Sequence, residues 1–254
     1  MKNFLTALKR RNALLYWFGW FNLMVALICI LIMPMETLQI QGVNRWLKPF
    51  KFYLSVGIMT WTMAWLMYHL SNARKVKIFS WFIFITMLLE NGLILLQALR
   101  KTTSHFNGAT FFDLMVFQLM GIFIVIFTTT CIFIAAAFFK QQSFQITEAY
   151  LWGIRCGLIL FIIFSIEGGV MVAFLKHTVG GSDGADGFAF FNWSRKYGDL
   201  RIAHFFGLHA LQLLPVAGWY VGKNKQQVLM ISLAYFVLLL LFLAQALKGI
   251  PLLF

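Results

Sequence analysis

The chain has 254 residues, of which 61% are hydrophobic and 11% charged, with a formal net charge of +13 and a mean hydropathy of +0.81. These figures exclude an ordinary soluble domain and imply an integral membrane protein. The basic residues are scattered at the ends of apolar runs and build no continuous basic face. That excludes nucleic acid as a partner and points to anchoring beside the anionic headgroups of a lipid bilayer.

A hydrocarbon core about 30 Å thick takes roughly 20 apolar residues in helix. Seven stretches qualify: about 13 to 33, 52 to 70, 78 to 99, 112 to 138, 149 to 175, 201 to 221 and 227 to 247. Helices are required because unpaired backbone groups are costly in lipid. A barrel would alternate apolar and polar residues, whereas "LLLLFLAQAL" and "FIFITMLLE" are continuous. The expected fold is all-α: a single domain over 1–254, an integral membrane bundle of seven transmembrane helices, arranged as one helix plus three repeated hairpins.

In chain order, "MKNFLTALKRRNALLYWFGW" has the basic start and apolar run of a signal peptide. The run exceeds a signal core and no small-residue cleavage site precedes Glu36, so it reads as a retained first helix. The following loop leads through "NRWLKP" to Lys51. The third stretch carries Glu90 about two thirds along "MLLENGLILLQALR", and Glu90, Ile94, Gln97 and Lys101 are spaced to share one helix face. "KTTSHFNGAT" then brings His105. The fifth stretch places Glu167 in "FSIEGGVMVAFLKH" and leads to "GGSDGADG", expected to be a flexible turn because Asp183 and Asp186 alone do not make a calcium loop. The sixth opens "GDLRIAHFFGLHALQ", with Asp199, Arg201, His204 and His209. Five residues separate the two histidines, about 140° around a straight helix, too far for one metal. Cys29, Cys131 and Cys156 lie within the stretches without CxxC spacing and read as packing residues.

Glu90 and Glu167, 77 residues apart, are each followed two positions later by glycine, which suggests a repeat. A fainter echo at an offset of 150 pairs Lys51 with Arg201 and Gly57 with Gly207, and "AQALKG" resembles "LQALRK". Orientation is set weakly: with the N-terminus inside, ten basic residues fall on each side. Lys2, Lys9, Arg10 and Arg11 before the first stretch, and the tight "SNARKVK" and "GKNKQQ" turns, favour a cytoplasmic N-terminus and an external C-terminus.

Ionisable groups inside membrane helices are functional candidates by default. Here they concentrate in the half beside the long loops, and the opposite half, apart from Arg155, the Thr128 to Thr130 run, His69 and Gln212, reads as almost bare, the outline of a blind polar cavity. The first reading is a membrane-embedded enzyme or cofactor-binding protein. Glu90, Glu167, His204 and Arg201 are its catalytic candidates, and His209, Lys51 and Asp199 its cofactor-binding ones. His105, His204, Glu90 and Glu167 form a ligand set suited to zinc or iron. Haem on His204 or His209 is the lesser alternative. The second reading is non-enzymatic: a proton-coupled carrier, or a receptor-like binder of a small-molecule or lipid ligand. A structural reading stands beside both, with Asp199 capping its helix, Arg201 anchored to lipid phosphate and each histidine bonded to a neighbouring helix. HExxH, GxSxG and phosphate-loop signatures are absent from the sequence.

"NRWLKPFKFYLSVGI", "ENGLILLQALRKTTSHFN", "GDLRIAHFFGLHALQLLP" and "QALKGIPLL" resemble an uncharacterised family of bacterial polytopic, seven-helix inner-membrane proteins. The resemblance covers most of the chain from residue 44 onward. It implies a bacterial inner membrane and assigns no catalytic residue. In span number and membrane histidines the chain is also similar to the seven-span ceramidase and progestin-receptor-like hydrolases, which use zinc. Their HxxxH in the last span has no counterpart here, where the seventh stretch has no histidine.

Overall fold

The computed structural model describes residues 2–184, 187–188 and 190–252, so Asp186 of the glycine-rich loop lies outside the described residues. The chain forms two compact units, Met1–Thr130 and Cys131–Phe254. The first contains α1 (Lys2–Arg11), α2 (Ala13–Ile32), a hairpin of β1 (Gln39–Ile40) and β2 (Val43–Asn44), α3 (Leu47–Met67) and α4 (Ala73–Leu99). Helix α5 (Phe111–Lys140) crosses the boundary. The second unit continues with α6 (Glu148–Phe174), paired β3 (Thr178–Val179) and β4 (Gly198–Asp199), α7 (Arg201–Tyr220) and α8 (Lys225–Leu247).

Polar residues in the short connections set the helix starts. The side chains of Asn12, Asn72, Thr147 and Asn224 accept from the backbone N–H of Leu15, Lys75, Tyr150 and Gln227, each satisfying a donor that the first turn leaves open. Asn12 also divides α1 from α2, so the basic N-terminal segment is a separate short helix. Its last residue, Arg11, lies over the Trp65 ring, 3.6 Å from the centroid. In the β1–β2 turn Gln41 and Gly42 both have positive φ, 51° and 76°, as a two-residue hairpin of this hand requires.

Among the described residues six helices are long and apolar enough to cross a membrane: α2 with the turn after it (Ala13–Met35), α4, α5, α6, α7 and α8. The chain is a polytopic helical membrane protein. Of the seven stretches expected, the one missing from this set is α3. It has 21 residues, and its N-terminal turns carry Lys48 and Lys51.

Close helix contacts are made over small residues. In the first unit Trp61 of α3 lies across Gly19 of α2, where a Cβ would come within 2.0 Å of the indole nitrogen. That nitrogen donates to the Tyr16 carbonyl at 3.1 Å. In the second unit α6 meets α7 backbone to backbone, and a Cβ at Gly153 would lie 2.4 Å from the Leu214 carbonyl oxygen. Small residues supply such approaches in lipid, where van der Waals packing replaces the hydrophobic effect between helices. Leu160, Phe164, Ala210 and Leu239 join α6, α7 and α8 in one buried cluster.

Each unit therefore runs helix, short β pairing, helix, tight turn, helix: α2–α3–α4 in the first and α6–α7–α8 in the second. The echo at offset 150 falls on α3 and α7, and "LQAL" and "AQAL" fall at the ends of α4 and α8. Glu90 lies on α4 and Glu167 on α6, each the second helix of a pair joined by a short connection, α3–α4 and α5–α6. The glycines that suggested the repeat, Gly92 and Gly169, have no packing role, since a Cβ at either meets nothing within 4 Å.

Candidate functional site

In the first unit the buried face of α4 carries Ser80, Ile83, Thr86, Met87, Glu90, Asn91, Ile94 and Gln97. Glu90, Ile94 and Gln97 share it as their spacing predicts. Lys101 does not, because α4 ends at Leu99 and Lys101 is exposed with φ 64°. Ser80 accepts from Asn12 Nδ2 at 2.7 Å. Asn91 Nδ2 donates to Asn22 Oδ1 of α2 at 2.8 Å, and Asn22 in turn donates to the Phe18 carbonyl. At the far end Gln97 Nε2 donates to Asp113 Oδ1 at 2.8 Å, while Arg100 binds both Asp113 and Gln97 and Thr110 donates to Asp113.

Glu90 lies between these bonded groups and is different from them. It is 2% exposed, and neither carboxyl oxygen has a hydrogen-bond partner. A bare carboxylate sealed in this way is costly, so the group requires a proton, a counter-charge or a ligand. The ammonium of Lys48, in the first turn of α3, favours its charged form from a distance. Lys48 Nζ donates to Nδ1 of His105 at 3.0 Å, with Ser104 Oγ at 3.0 Å from the same nitrogen. Phe52, Phe106 and Phe117 surround the imidazole at centroid distances of 5.8, 6.1 and 6.5 Å. Lys51, the cofactor-binding candidate of this segment, is half-buried on α3.

The expectation of an almost bare half beside the short turns fails in this unit. Asn12 and Ser80 are bonded there, and Thr86 and Thr60 are buried nearby with hydroxyls returned to their own helices, at Phe82 and Gly57. That expectation counted Arg155, the Thr128 to Thr130 run, His69 and Gln212 as the exceptions of that half and passed over these groups. The uncharged amides and hydroxyls at helix-like spacing on α4 were the available signal.

In the second unit Glu167 of α6 meets His204 of α7, with Oε2 3.2 Å from Nδ1. Gly168 admits the imidazole, because a Cβ there would stand 3.0 Å from His204 Cε1. Glu167 Oε1 is buried without a partner, whereas the His204 side chain is 27% exposed. His209 has a different environment. Its Nδ1 donates to the Phe205 carbonyl of its own helix at 2.7 Å, and its ring lies 4.1 Å from that of Phe205.

Asp199 and Arg201 form a clasp at the start of α7. Asp199 is 1% exposed. It accepts from Ser194 N, Arg201 N and two nitrogens of the Arg201 guanidinium, which also donates to the Asn192 carbonyl. The observed contacts of this pair are those of the structural reading, orienting α7 and its preceding loop. In the described part of the glycine-rich loop, Asp183 is bonded to the segment before it. Asp183 accepts from the backbone and Nδ1 of His177 and from the backbone and hydroxyl of Thr178. Burial opposes ionisation of Asp183, but the bonds from His177 and Thr178 outweigh it and hold the carboxyl below its ordinary range.

The eight candidate residues thus divide, with Lys51, Glu90 and His105 in the first unit and Glu167, Asp199, Arg201, His204 and His209 in the second. Among the described residues no group of three or more His, Cys, Asp or Glu side chains is placed to hold a metal ion. No family model, curated protein or solved structure matches the chain.

Proposed function

We propose that the protein is a non-enzymatic, proton-coupled carrier of a small molecule in a bacterial inner membrane, with its N-terminus in the cytoplasm, α3 as a seventh span and Glu90 as the proton-exchanging carboxyl. One observation carries this reading: Glu90 is sealed without a hydrogen-bond partner on a helix face that has polar groups on either side of it. Between Ser80 and Gln97 that face rises about 25 Å at 1.5 Å per residue, most of the hydrocarbon thickness. A carrier requires polar groups along such a length, and a one-sided catalytic cavity does not. The common order of the two helix trios adds support, since parallel repeats are a recurrent plan among transporters.

The Glu167–His204 pair favours a second reading, a membrane enzyme with a Glu/His acid–base site. An imidazole oriented by a carboxylate and partly open to its surroundings is suited to proton transfer. Proteoliposomes loaded with a pH-sensitive dye and screened against small metabolites separate the two. The carrier reading expects substrate-triggered proton entry that Glu90→Gln abolishes and His204→Gln leaves in place. Equal proton entry in wild type and Glu90→Gln would refute it.

A further inference from the structure

At the end of the second unit that holds the short turns, two cations from different helices meet on one indole ring. The Arg155 guanidinium of α6 lies 5.1 Å from the Trp152 ring centroid, and Nζ of Lys225, the first residue of α8, lies 4.3 Å from the centroid of the same ring. We infer that Arg155 and Lys225 form a binding site for the phosphodiester headgroup of an anionic phospholipid, with an acyl chain laid along Phe139. The site belongs to the second unit, and Glu90 has no part in it.

The local fold aims Arg155 at this position. Phe138, fully buried near the end of α5, stacks on Phe144 of the following turn at 5.7 Å. Arg155 Nε and Nη2 donate to the Phe138 carbonyl at 3.2 and 2.9 Å. That carbonyl is one of the last four of α5, which their own helix leaves without a donor. Held there, the guanidinium is surrounded by Phe139 and Phe144 as well as Trp152, at 5.0 and 5.8 Å from the two phenyl centroids. A carbonyl is neutral, so these bonds leave the charge of Arg155 unbalanced. Glu148, exposed in the first turn of α6, is the nearest acid in sequence, and it forms no ion pair with Arg155 or Lys225. Two like charges against one ring repel, and an anion placed between them removes that repulsion. Phosphate suits the place, because Arg155 Nη1 makes no bond within the chain and an arginine fork matches phosphate oxygens. The depth also fits. Arg155 stands seven residues into α6, about 10 Å along the axis from its end, within reach of the headgroup layer for a snorkelling arginine. Phe139, 40% exposed and set edge-on to Trp152 at 6.2 Å, offers the apolar surface for an acyl chain. A choline or ethanolamine group would bring a third cation to Arg155 and Lys225, so a phosphodiester carrying uncharged glycerol is preferred.

The test is native mass spectrometry of the full chain released from detergent micelles, titrated with dioleoylphosphatidylglycerol, with dioleoylphosphatidylcholine and, separately, with inorganic phosphate. Wild type should take up its first phosphatidylglycerol roughly fivefold or more tightly than phosphatidylcholine, the effect of one basic residue at the headgroup. Lys225→Met should weaken that first uptake roughly fivefold, whereas Lys225→Arg, and Lys75→Met on an exposed lysine of the first unit, should leave it unchanged. Arg155→Met should weaken it as well. Because it also strips the Phe138 carbonyl of its donor, the lysine variants decide the matter if it does not fold. Equal affinities of wild type for the two lipids, or equal losses in Lys225→Met and Lys75→Met, would overturn the inference. Displacement of bound phosphatidylglycerol by inorganic phosphate at equal concentration would overturn the lipid assignment and make this a site for a soluble phosphate.

Discussion

Replacing Glu90 by leucine should stabilise the protein while removing its function. The side chain is 2% exposed, both its oxygens lack partners, and Met87 and Ile94 are buried on the same helix face. Burying an unpaired polar group costs about 1–3 kcal/mol on protein mutational scales. Leucine removes that cost and adds apolar contact at similar size, so Glu90→Leu should gain about 1–3 kcal/mol. For a chain of this length the gain corresponds to about 2–12 °C in apparent melting temperature. Glu90→Gln keeps a buried polar group and should show no such gain. Heating the purified variants with a thiol-reactive fluorogenic dye provides the assay, since Cys29 and Cys131 are 1% and 0% exposed until the fold opens. A stabilising mutation that abolishes proton flux would mark Glu90 as kept for function at a cost in stability. If Glu90→Leu melts below both wild type and Glu90→Gln, the carboxyl has a structural partner and the reasoning fails.

Three further outcomes are expected. Asn22→Leu, Asn91→Leu and the double variant should yield a coupling energy of about 0.6 kcal/mol and no more than about 1.7, the range for hydrogen bonds between membrane helices; a coupling near zero in thermal melts would mean that the 2.8 Å bond contributes nothing. Gly153→Ala should destabilise by about 1–3 kcal/mol, because its Cβ would enter the Leu214 carbonyl, whereas Gly169→Ala, with open space around it, should be neutral or slightly stabilising. Equal melting temperatures for these two would count against the tight α6–α7 contact. The folded-state carboxyl of Asp183 titrates below its ordinary value, so its contribution is present above the free-carboxylate range and is lost as the pH falls below it. Asp183→Asn should cost about 1–3 kcal/mol through its hydrogen bonds and should make the loop before α7 open to protease at neutral pH, as wild type becomes only in acid. A wild-type digestion profile in Asp183→Asn at both pH values would refute this.

Amphipathic and apolar spacing in the sequence determined the membrane class, the helical content and six of the spans, because the cost of unpaired backbone in lipid leaves an apolar run of about 20 residues little alternative to helix. It also placed Glu90, Ile94 and Gln97 on one face, since that follows from 3.6 residues per turn alone. The sequence could not show that Lys48 reaches His105, because α3 and the loop after α4 meet only through the fold. Nor could it show that Arg201 is occupied by Asp199 and Asn192, or that His209 is turned onto its own helix while His204 faces Glu167 across a glycine. Composition marked every buried ionisable group as equally costly. Tertiary packing separated them by giving most a partner and leaving Glu90, among the described buried carboxylic acids, with no hydrogen bond at either oxygen.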